Sequence, residues 1–468
     1  MSTTLLLACP PGEVWAALLS DGRLAGLSLK RAGAQGRAGE VLLGRILALK
    51  PELPAALVEV GLDRPGFLSA EDTLPRAGIA GLTQGQTVIV QVKKEARADK
   101  AAGLTLRPRL AGRLLAMTPA RPGIAAEKGL DAAEVRRLTA ALEGILRAGE
   151  GLAVLRAAAG ATAAALAAEA ETLRARWQAI EAAARDGTPP QMLEAGASPV
   201  ALALAERAAA EPDAIIVDDT AAFGEARRWL ARHAPALVER LALHREAAPL
   251  FEAHDVADEV ARVLSPRVEL PGGAALAIEE TAGATVIDVD MGAAASGRGE
   301  AERTILASNL AAAAAAGRQI CLRGLAGPII VDFIGMRRRE HREEVRAALQ
   351  AALADDAEVL GWTRLGHLEL VRARREAPIA ELIFERVPGG GRRKTALTLA
   401  LEALGALARG AAATPPRAAR LRLHPEVAAA LDGPARTARQ ELELRLGRRI
   451  EIAAEPGRVR DTFDIDLG

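Results

Sequence analysis

Residues 283–297 read GATVIDVDMGAAASG, and the centre of this stretch alternates between apolar and acidic side chains. A period of two is typical of a β-strand, in which residues i and i+2 point to the same face. Asp288 and Asp290 are therefore predicted to stand side by side on one face, with the apolar side chains on the other. Neighbouring carboxylates repel each other, so this strand needs something that makes the pair tolerable.

A third carboxylate follows a second apolar stretch. Asp332 comes directly after PIIV at 328–331, which predicts it at the C-terminal end of a buried strand. Magnesium takes oxygen ligands, usually one or two carboxylates together with substrate phosphate and water. Asp288, Asp290 and Asp332 are therefore a candidate magnesium site that acts on a phosphodiester. The alternative is that the first two lie on a solvated sheet face and that Asp332 caps a turn.

Composition limits the class of protein. The chain has 468 residues, half of them hydrophobic, which predicts three or four domains. Basic and acidic residues balance at 60 each, so overall charge gives no argument for nucleic acid. Cys9 and Cys321 are the only cysteines and lie far apart, which disfavours both a disulfide framework and a cysteine zinc site. We find no signal peptide and no apolar run long enough to span a membrane, so we expect a cytoplasmic protein.

The pattern of elements changes along the chain. Short strands with closely spaced turn signals predict a small barrel at 39–118. Residues 119–198 mix a helix, a strand and a long alanine-rich helix that ends near DGTPP at 186–190. A hairpin, two helices at 302–323 and 339–354, and apolar strands then predict an α+β or α/β layer.

The last part of the chain is predicted to be a small separate unit. PGGGRRK at 388–394 is typical of a linker, and helices are predicted at 395–408 and 425–446. We find no repeat of fixed period.

Two further groups of residues suit nucleic acid. Phe67 with Lys93, Lys94 and Lys100 would give the barrel an aromatic platform beside cations, as OB-folds use for single strands. The alternative is that Phe67 belongs to the barrel core. The basic cluster MRRREHR at 336–342 is either a solvated helix start or a contact to a phosphate backbone.

Several stretches together resemble the ribonuclease E/G family of bacterial endoribonucleases over nearly the whole chain. They are AALVEVGLDRPGFLSAED, RVELPGGAALAIEETAGATVIDVDMG and NLAAAAAAGRQICLRGLAGPIIVDFIGM. The resemblance implies an α+β multidomain fold with an OB-fold barrel inserted in an RNase H-like domain. The implied parts are the split RNase H-like domain at 1–38 and 199–265, the RNA-binding barrel at 39–118, a 5′-sensor region at 119–198, a DNase I-like α/β catalytic domain at 266–387, and a linker with a small C-terminal αβ domain at 388–468.

The same resemblance implies roles for individual residues. Asp288 and Asp332 match the two catalytic, metal-binding aspartates, and Asp290 takes the place of an asparagine that completes the metal site. Phe67 and Lys100 match the RNA-binding surface of the barrel.

Arg156 matches the arginine that holds the terminal phosphate of the RNA. The chain departs from the family beside it, where Ala157 replaces a threonine, and in the barrel, where Leu57 replaces a second aromatic residue. The second aspartate of the family's DFID is Gly335.

The cysteine pair through which the family shares zinc between subunits is missing from REAPIAELIFERVPGGGRRK. We therefore expect Mg²⁺ and no zinc, and any homodimer would form without a zinc link. The predicted function is metal-dependent endonucleolytic cleavage of single-stranded RNA in RNA processing or decay. The alternative is an RNA-binding paralogue of the family with weak or no cleavage.

Overall fold

The computed structural model describes residues 2–31, 39–50, 52–62, 64–74, 78–94, 101–127, 129–281, 283–291, 301–353, 356–374, 377–387, 391–413 and 418–468. The chain divides into two compact units. The second unit comprises Arg31–Leu202 and Arg228–Pro235, and the first unit comprises the rest of the chain.

The first half of the chain is rich in short strands. Its strands and helices are β1 (Thr3–Ala8), β2 (Glu13–Ser20), β3 (Arg23–Arg31), β4 (Val41–Lys50), β5 (Ala55–Glu59), β6 (Gly66–Ser69), β7 (Thr87–Lys94), β8 (Gly103–Thr105), β9 (Leu110–Ala111), β10 (Leu115–Met117), β11 (Gly123–Ala126), α1 (Ala132–Glu143), β12 (Gly151–Val154), α2 (Ala163–Asp186), β13 (Gln191–Glu194) and α3 (Pro199–Arg207).

The second half alternates strands with longer helices. Its elements are β14 (Ala214–Val217), α4 (Thr220–His233), β15 (Leu241–Leu243), α5 (Leu250–Ala253), α6 (Ala257–Leu264), β16 (Arg267–Glu269), β17 (Ala275–Glu280), β18 (Thr285–Asp290), α7 (Ala301–Arg323), β19 (Gly327–Asp332), α8 (Arg339–Ala352), β20 (Ala357–Trp362), β21 (Leu368–Arg372), α9 (Ile379–Ile383), β22 (Phe384–Arg386), β23 (Arg392–Lys394), α10 (Ala396–Ala413), β24 (Arg420–Leu423), α11 (Pro425–Asp432), α12 (Arg436–Leu446), β25 (Glu451–Ala454) and β26 (Phe463–Asp466).

The second unit contains a closed, OB-like barrel of five strands. The strands follow the order β4-β5-β6-β8-β7, and β4 closes the barrel because it also pairs with β7. Apolar side chains at alternate positions fill the interior, among them Ile46, Val58 and Leu68. The barrel strands end at Thr105, so the barrel is shorter than the segment 39–118 predicted from the sequence.

The short strands that follow the barrel belong to another sheet of the second unit. Its order is β11-β12-β10-β9, and α1 and α2 pack on it through Leu138, Leu166 and Leu173. Helix α2 ends at Asp186, where the DGTPP stretch predicted a stop.

In the first unit, one sheet joins segments that are far apart in the sequence. Its order is β15-β14-β1-β2-β3, with β1 parallel to β14 and Thr4 opposite Ala214. The apolar run in AIIVDD at 214–219 predicts β14, whereas the short strand β15 is not predicted from the sequence.

A six-stranded sheet of the first unit contains the stretch quoted first. Its order is β16-β17-β18-β19-β21-β20, with β18 parallel to β19. Ile287 and Val289 point into the core that this sheet forms with α7 and α8, whereas Asp288 and Asp290 are exposed on the other face. The period of two therefore predicted the strand and its two faces correctly. Strand β20, which is distorted by a register shift before Gly361, was not predicted.

Helix α7 passes a test for membrane-spanning length and composition. Within the described part of the chain this is the one such segment, at Glu302–Arg323, and length and composition alone are weak evidence for a membrane span. Its alanines, including Ala312 and Ala316, are buried against the six-stranded sheet, which is the packing of a core helix.

The end of the chain, within the first unit, forms a small three-stranded sheet with the order β25-β24-β26. The single helix predicted at 425–446 is wrong, because the chain turns at Gly433 between α11 and α12. Within the predicted linker 388–394, residues 388–390 lie outside the described chain, and Arg392–Lys394 forms a hairpin strand with Phe384–Arg386.

Candidate active site

Asp288 and Asp332 are brought together by sheet register. They are direct partners in the parallel β18–β19 ladder, and both lie at its last pair. Neighbouring strands are about 4.8 Å apart, so the two carboxylates stand side by side where the pairing of these two strands ends. The Asp332 side chain is 50% exposed, so both groups remain open to solvent and to a ligand.

Asp290 is placed differently. Its carboxylate lies 3.3 Å from the guanidinium of Arg267, which also binds Glu269 at 2.9 Å. Hydrogen bonds that Arg267 donates to Glu269 and to Asp290 raise the pKa of its guanidinium, so the cation persists. The role of Asp290 as a third metal ligand stays a prediction.

Two carboxylates at neighbouring strand ends are a ligand set that suits magnesium. The described residues contain no group of three or more His, Cys, Asp and Glu side chains placed to hold a metal. Magnesium usually needs only one or two protein carboxylates, because phosphate and water supply its other ligands. The pair Asp288 and Asp332 therefore fits Mg²⁺ but not a closed structural zinc site.

The sequence did not predict the histidine beside Asp332. The His367 Nε2 lies 3.7 Å from Asp332 Oδ2, and the side chain is 36% exposed. Its position follows from a turn, since its N–H donates to Thr363 Oγ1 and its carbonyl accepts from the Thr363 N–H. Leu368 then pairs with Val331, which places His367 next to the end of β19. The proximity of His367 to Asp332 follows only from the strand order, so the sequence alone gave little reason to select this histidine.

The basic cluster at 336–342 follows directly after this site. Arg337, Arg338 and Arg339 are exposed, at the point where α8 begins. Arg342 has a structural contact instead, because its Nε and Nη2 donate to the carbonyl of Met336 at 3.1 and 2.9 Å. The exposed arginines fit a solvated helix start, and their contact with a phosphate backbone stays a prediction.

The barrel presents a row of residues on its outer surface. Register places Leu57 opposite Phe67, Phe67 opposite Gly103, and Gly103 opposite Lys94. Phe67 is half-buried and faces outward, because its neighbour Leu68 fills the core. The alternative that placed Phe67 in the core is therefore wrong.

Two other barrel lysines were candidates. Lys93 is engaged with Asp72, with 2.8 Å between Nζ and Oδ1. Lys100 lies outside the described residues, so its predicted contact with RNA stays a prediction.

Arg156 lies in the second unit at the start of a short 3₁₀ turn after β12, and it is exposed. Its backbone N–H donates to the carboxylate of Glu127 at 3.0 Å. Gly129, at φ +98°, approaches its guanidinium so closely that a Cβ would lie 3.3 Å from Nε. A cation beside a glycine turn suits an anion, and the sequence predicted Arg156 but not Glu127.

An OB-like barrel in the same chain as an open pair of strand-end carboxylates is the combination expected of a nuclease. The description "Ribonuclease E/G family" belongs to the family model that matches residues 109–375. The chain belongs to the ribonuclease E/G family.

Named relatives agree with this assignment. Ribonuclease G of Escherichia coli (strain K12) is 30% identical over 99% of each chain, and ribonuclease G of Salmonella typhimurium is 29% identical over the same shares. Ribonuclease E of Escherichia coli (strain K12) is 30% identical over 81% of this chain and 38% of its own length.

Proposed function

We propose that this protein is an endoribonuclease that cleaves single-stranded RNA with the help of magnesium, in RNA processing or decay. The observation that carries the proposal is the direct pairing of Asp288 with Asp332, both open to solvent near the C-terminal ends of two adjacent strands. Membership of the ribonuclease E/G family supports the choice of RNA as substrate.

The side chains divide the work. Asp288 and Asp332 would hold Mg²⁺ and keep it at the scissile phosphate. When bound, the ion supplies water activation and neutralises charge on the leaving oxygen. The exposed guanidiniums of Arg337 to Arg339 hold phosphate oxygens near the site, because an arginine fork matches phosphate geometry.

The barrel and the sensor region bind the rest of the RNA. Phe67 offers a face on which a base can stack, and Lys94, one position beyond Gly103 in the row, neutralises a phosphate. Arg156 would hold the 5′-terminal phosphate, with Ala157 supplying no hydroxyl to assist it.

The proposal extends to the arrangement of domains. The five-stranded sheet of residues 3–31 and 214–243 would be the split RNase H-like domain, and the six-stranded sheet with α7 and α8 the DNase I-like catalytic domain. We further propose that the protein forms a homodimer without a zinc link and that it is located in the cytoplasm.

Asp288→Asn and Asp332→Asn test the proposed function. Each variant removes a charged ligand and should abolish cleavage of a fluorescent single-stranded RNA, while RNA affinity falls less than about two-fold because the barrel is unchanged. Glu279→Gln is the matched control, since Glu279 is an exposed carboxylate on the neighbouring strand β17. It should cleave at the wild-type rate. Near wild-type cleavage by either aspartate variant at limiting magnesium would refute the catalytic assignment.

One observation favours the second candidate, an RNA-binding paralogue with weak cleavage. Asp290 stands where the family has an asparagine, and its carboxylate is bound to Arg267, so it does not complete the metal site in this conformation. A wild-type protein that binds the RNA but leaves it intact, with and without Mg²⁺, would establish this alternative.

A further inference from the structure

One polar side chain is buried on the core helix α7. Asn309 is 0% exposed, on a helix made largely of alanine and other apolar residues. A buried amide must find partners for its donor and acceptor. Both partners of Asn309 belong to one residue: Nδ2 donates to the carbonyl of Ile334 at 2.8 Å, and Oδ1 accepts from the N–H of Ile334 at 3.1 Å.

Ile334, which is bound by Asn309 on both sides, lies immediately beyond the candidate active site. Strand β19 ends at Asp332, where its pairing with β18 also ends, and its pairing with β21 ends one residue earlier, at Val331. Ile334 has therefore left both ladders. The amide of Asn309 takes over the hydrogen bonds that a neighbouring strand would otherwise make, two residues after Asp332.

The same exit segment is held at two further points. Phe333 is buried against Trp362, with ring centroids 5.9 Å apart. The carbonyl of Met336 accepts hydrogen bonds from both Nε and Nη2 of Arg342. These contacts hold the residues on either side of Ile334 but make no hydrogen bond to its own peptide groups. The direction in which the chain leaves Asp332 thus depends on Asn309.

We propose that Asn309 is a positioning residue for Asp332. By clamping both peptide groups of Ile334, it holds the strand exit so that the Asp332 carboxylate stands beside Asp288. The inference rests on the proposed function, because it takes Asp332 to be a metal ligand. Groups that orient metal ligands without touching the metal typically contribute 10–100-fold, by rough estimate, to metal affinity or activity.

Helix α7 offers a matched control for this role. Gln319 is also a buried amide, 5% exposed, and its Oε1 accepts from Arg323 Nε at 2.9 Å. This contact lies two to three turns further along the helix and stays within α7. Gln319→Ala therefore removes a buried amide from the same helix without touching the exit of β19.

The test compares Asn309→Ala, Asn309→Ser and Gln319→Ala in the full chain. Mg²⁺ alone is titrated calorimetrically into RNA-free protein, and hydrogen exchange of the Ile334 amide is measured. For both Asn309 variants we expect the magnesium dissociation constant to rise by about ten-fold or more, exchange at Ile334 to accelerate, and cleavage to slow while RNA affinity stays unchanged. Asn309→Ser, which leaves a smaller void, keeps the test valid if the alanine variant does not fold.

The outcomes separate this inference from the proposed function. If Gln319→Ala weakens magnesium as much as the Asn309 variants do, or if Asn309→Ser binds and cleaves like wild type, Asn309 is only structural. If wild type binds magnesium without cleaving RNA, the proposed function fails, yet weaker binding by Asn309→Ala still supports the positioning role. A wild-type chain that binds no magnesium overturns both.

Discussion

At the scale of single residues, Arg174 is a buried charge of the second unit with several bonded partners. It is buried, and its guanidinium binds both oxygens of Glu150, at 2.7 and 2.6 Å, as well as Glu171 and the carbonyl of Ile145. Burial raises the pKa of the Glu150 carboxyl, but the hydrogen bonds from Arg174 and from the Arg147 backbone N–H, together with the charges of both arginines, outweigh it, so the net pKa is below its ordinary value.

Arg174→Met should destabilise the protein by about 3–5 kcal/mol, because it removes the guanidinium that bonds both oxygens of the buried Glu150 carboxylate. Arg147→Met is the control: Arg147 and Glu171 are 57% and 58% exposed, and such pairs contribute at most about 1 kcal/mol. Urea unfolding measures both. Equal losses in the two variants would contradict the assignment.

The effect of Arg174 should depend on pH. A carboxyl whose folded pKa is lowered stabilises the fold above its unfolded pKa, which is about 4.3 for Glu, and this stability is lost as pH falls through the lower folded pKa. The difference between wild type and Arg174→Met should therefore be full at pH 7 and shrink below about pH 4. A difference that is constant from pH 7 to pH 3 would show that lost packing, not the ion pair, causes it.

At the scale of elements, the outer row of the barrel leads to a prediction on RNA affinity. Phe67→Ala should weaken binding of a short single-stranded RNA by roughly five-fold to a hundred-fold, since stacking of one base contributes about 1–3 kcal/mol. Leu57→Phe, directly opposite Phe67 on β5, should strengthen binding by adding a second platform. Fluorescence anisotropy at one fixed salt concentration measures both.

The matched control is Leu53→Ala, at an exposed leucine on the turn between β4 and β5 of the same barrel. It should leave RNA affinity within about two-fold, because it removes apolar area without a stacking face. If Phe67→Ala binds like wild type, the outer row is not the RNA-binding surface.

Patterns along one element were predictable from the sequence, and interruptions were not. The alternation through Asp288 and Asp290 predicted β18, and DGTPP predicted the end of α2. By contrast, the stretch EAHDVADEVARVL at 252–264 has the pattern of one helix but breaks at Asp255, which adopts φ +56°. The helix expected across 425–446 breaks at Gly433. A backbone reversal at one residue depends on tertiary packing and leaves the apolar pattern on either side unchanged.

The candidate site was predictable only in part, for a similar reason. Asp288 and Asp332 stand at ends of strands that the sequence marks clearly, and a parallel pair of such strands places their ends together. His367 and Asn309 come to the site through strand order and through helix packing. Neither relation is local in sequence, so single-sequence patterns could not reveal them.

At the scale of the whole molecule, the segment that would carry the zinc cysteines in the family is a hairpin held by side chains. Arg392 lies over the ring of Phe384, 4.3 Å from its centroid, and Arg393 binds Glu385 at 2.8 Å. Arg460 binds both Glu385 and Glu426 from the end of the chain. These contacts connect β22 and β23 to the C-terminal part of the chain.

We therefore expect that the purified protein carries no stoichiometric zinc. Cys9 and Cys321, both free, cannot supply the closely spaced thiolates of such a site. Elemental analysis checks the content, and sedimentation with and without EDTA should show the same oligomeric state. One zinc per chain or per dimer, or dissociation on chelation, would contradict the prediction.

The sheet that pairs β1 with β14 has a consequence for synthesis of the chain. The N–H of Thr3 donates to the carboxylate of Asp213, 210 positions later. At about 5–20 residues per second, β1 leaves the ribosome roughly 10–40 s before its parallel partner exists. During that interval one edge of β1 stays unpaired, and an open strand edge can pair with other chains. Nascent chains on one messenger can therefore associate through the open edge of β1 until residue 217 has emerged from the ribosome.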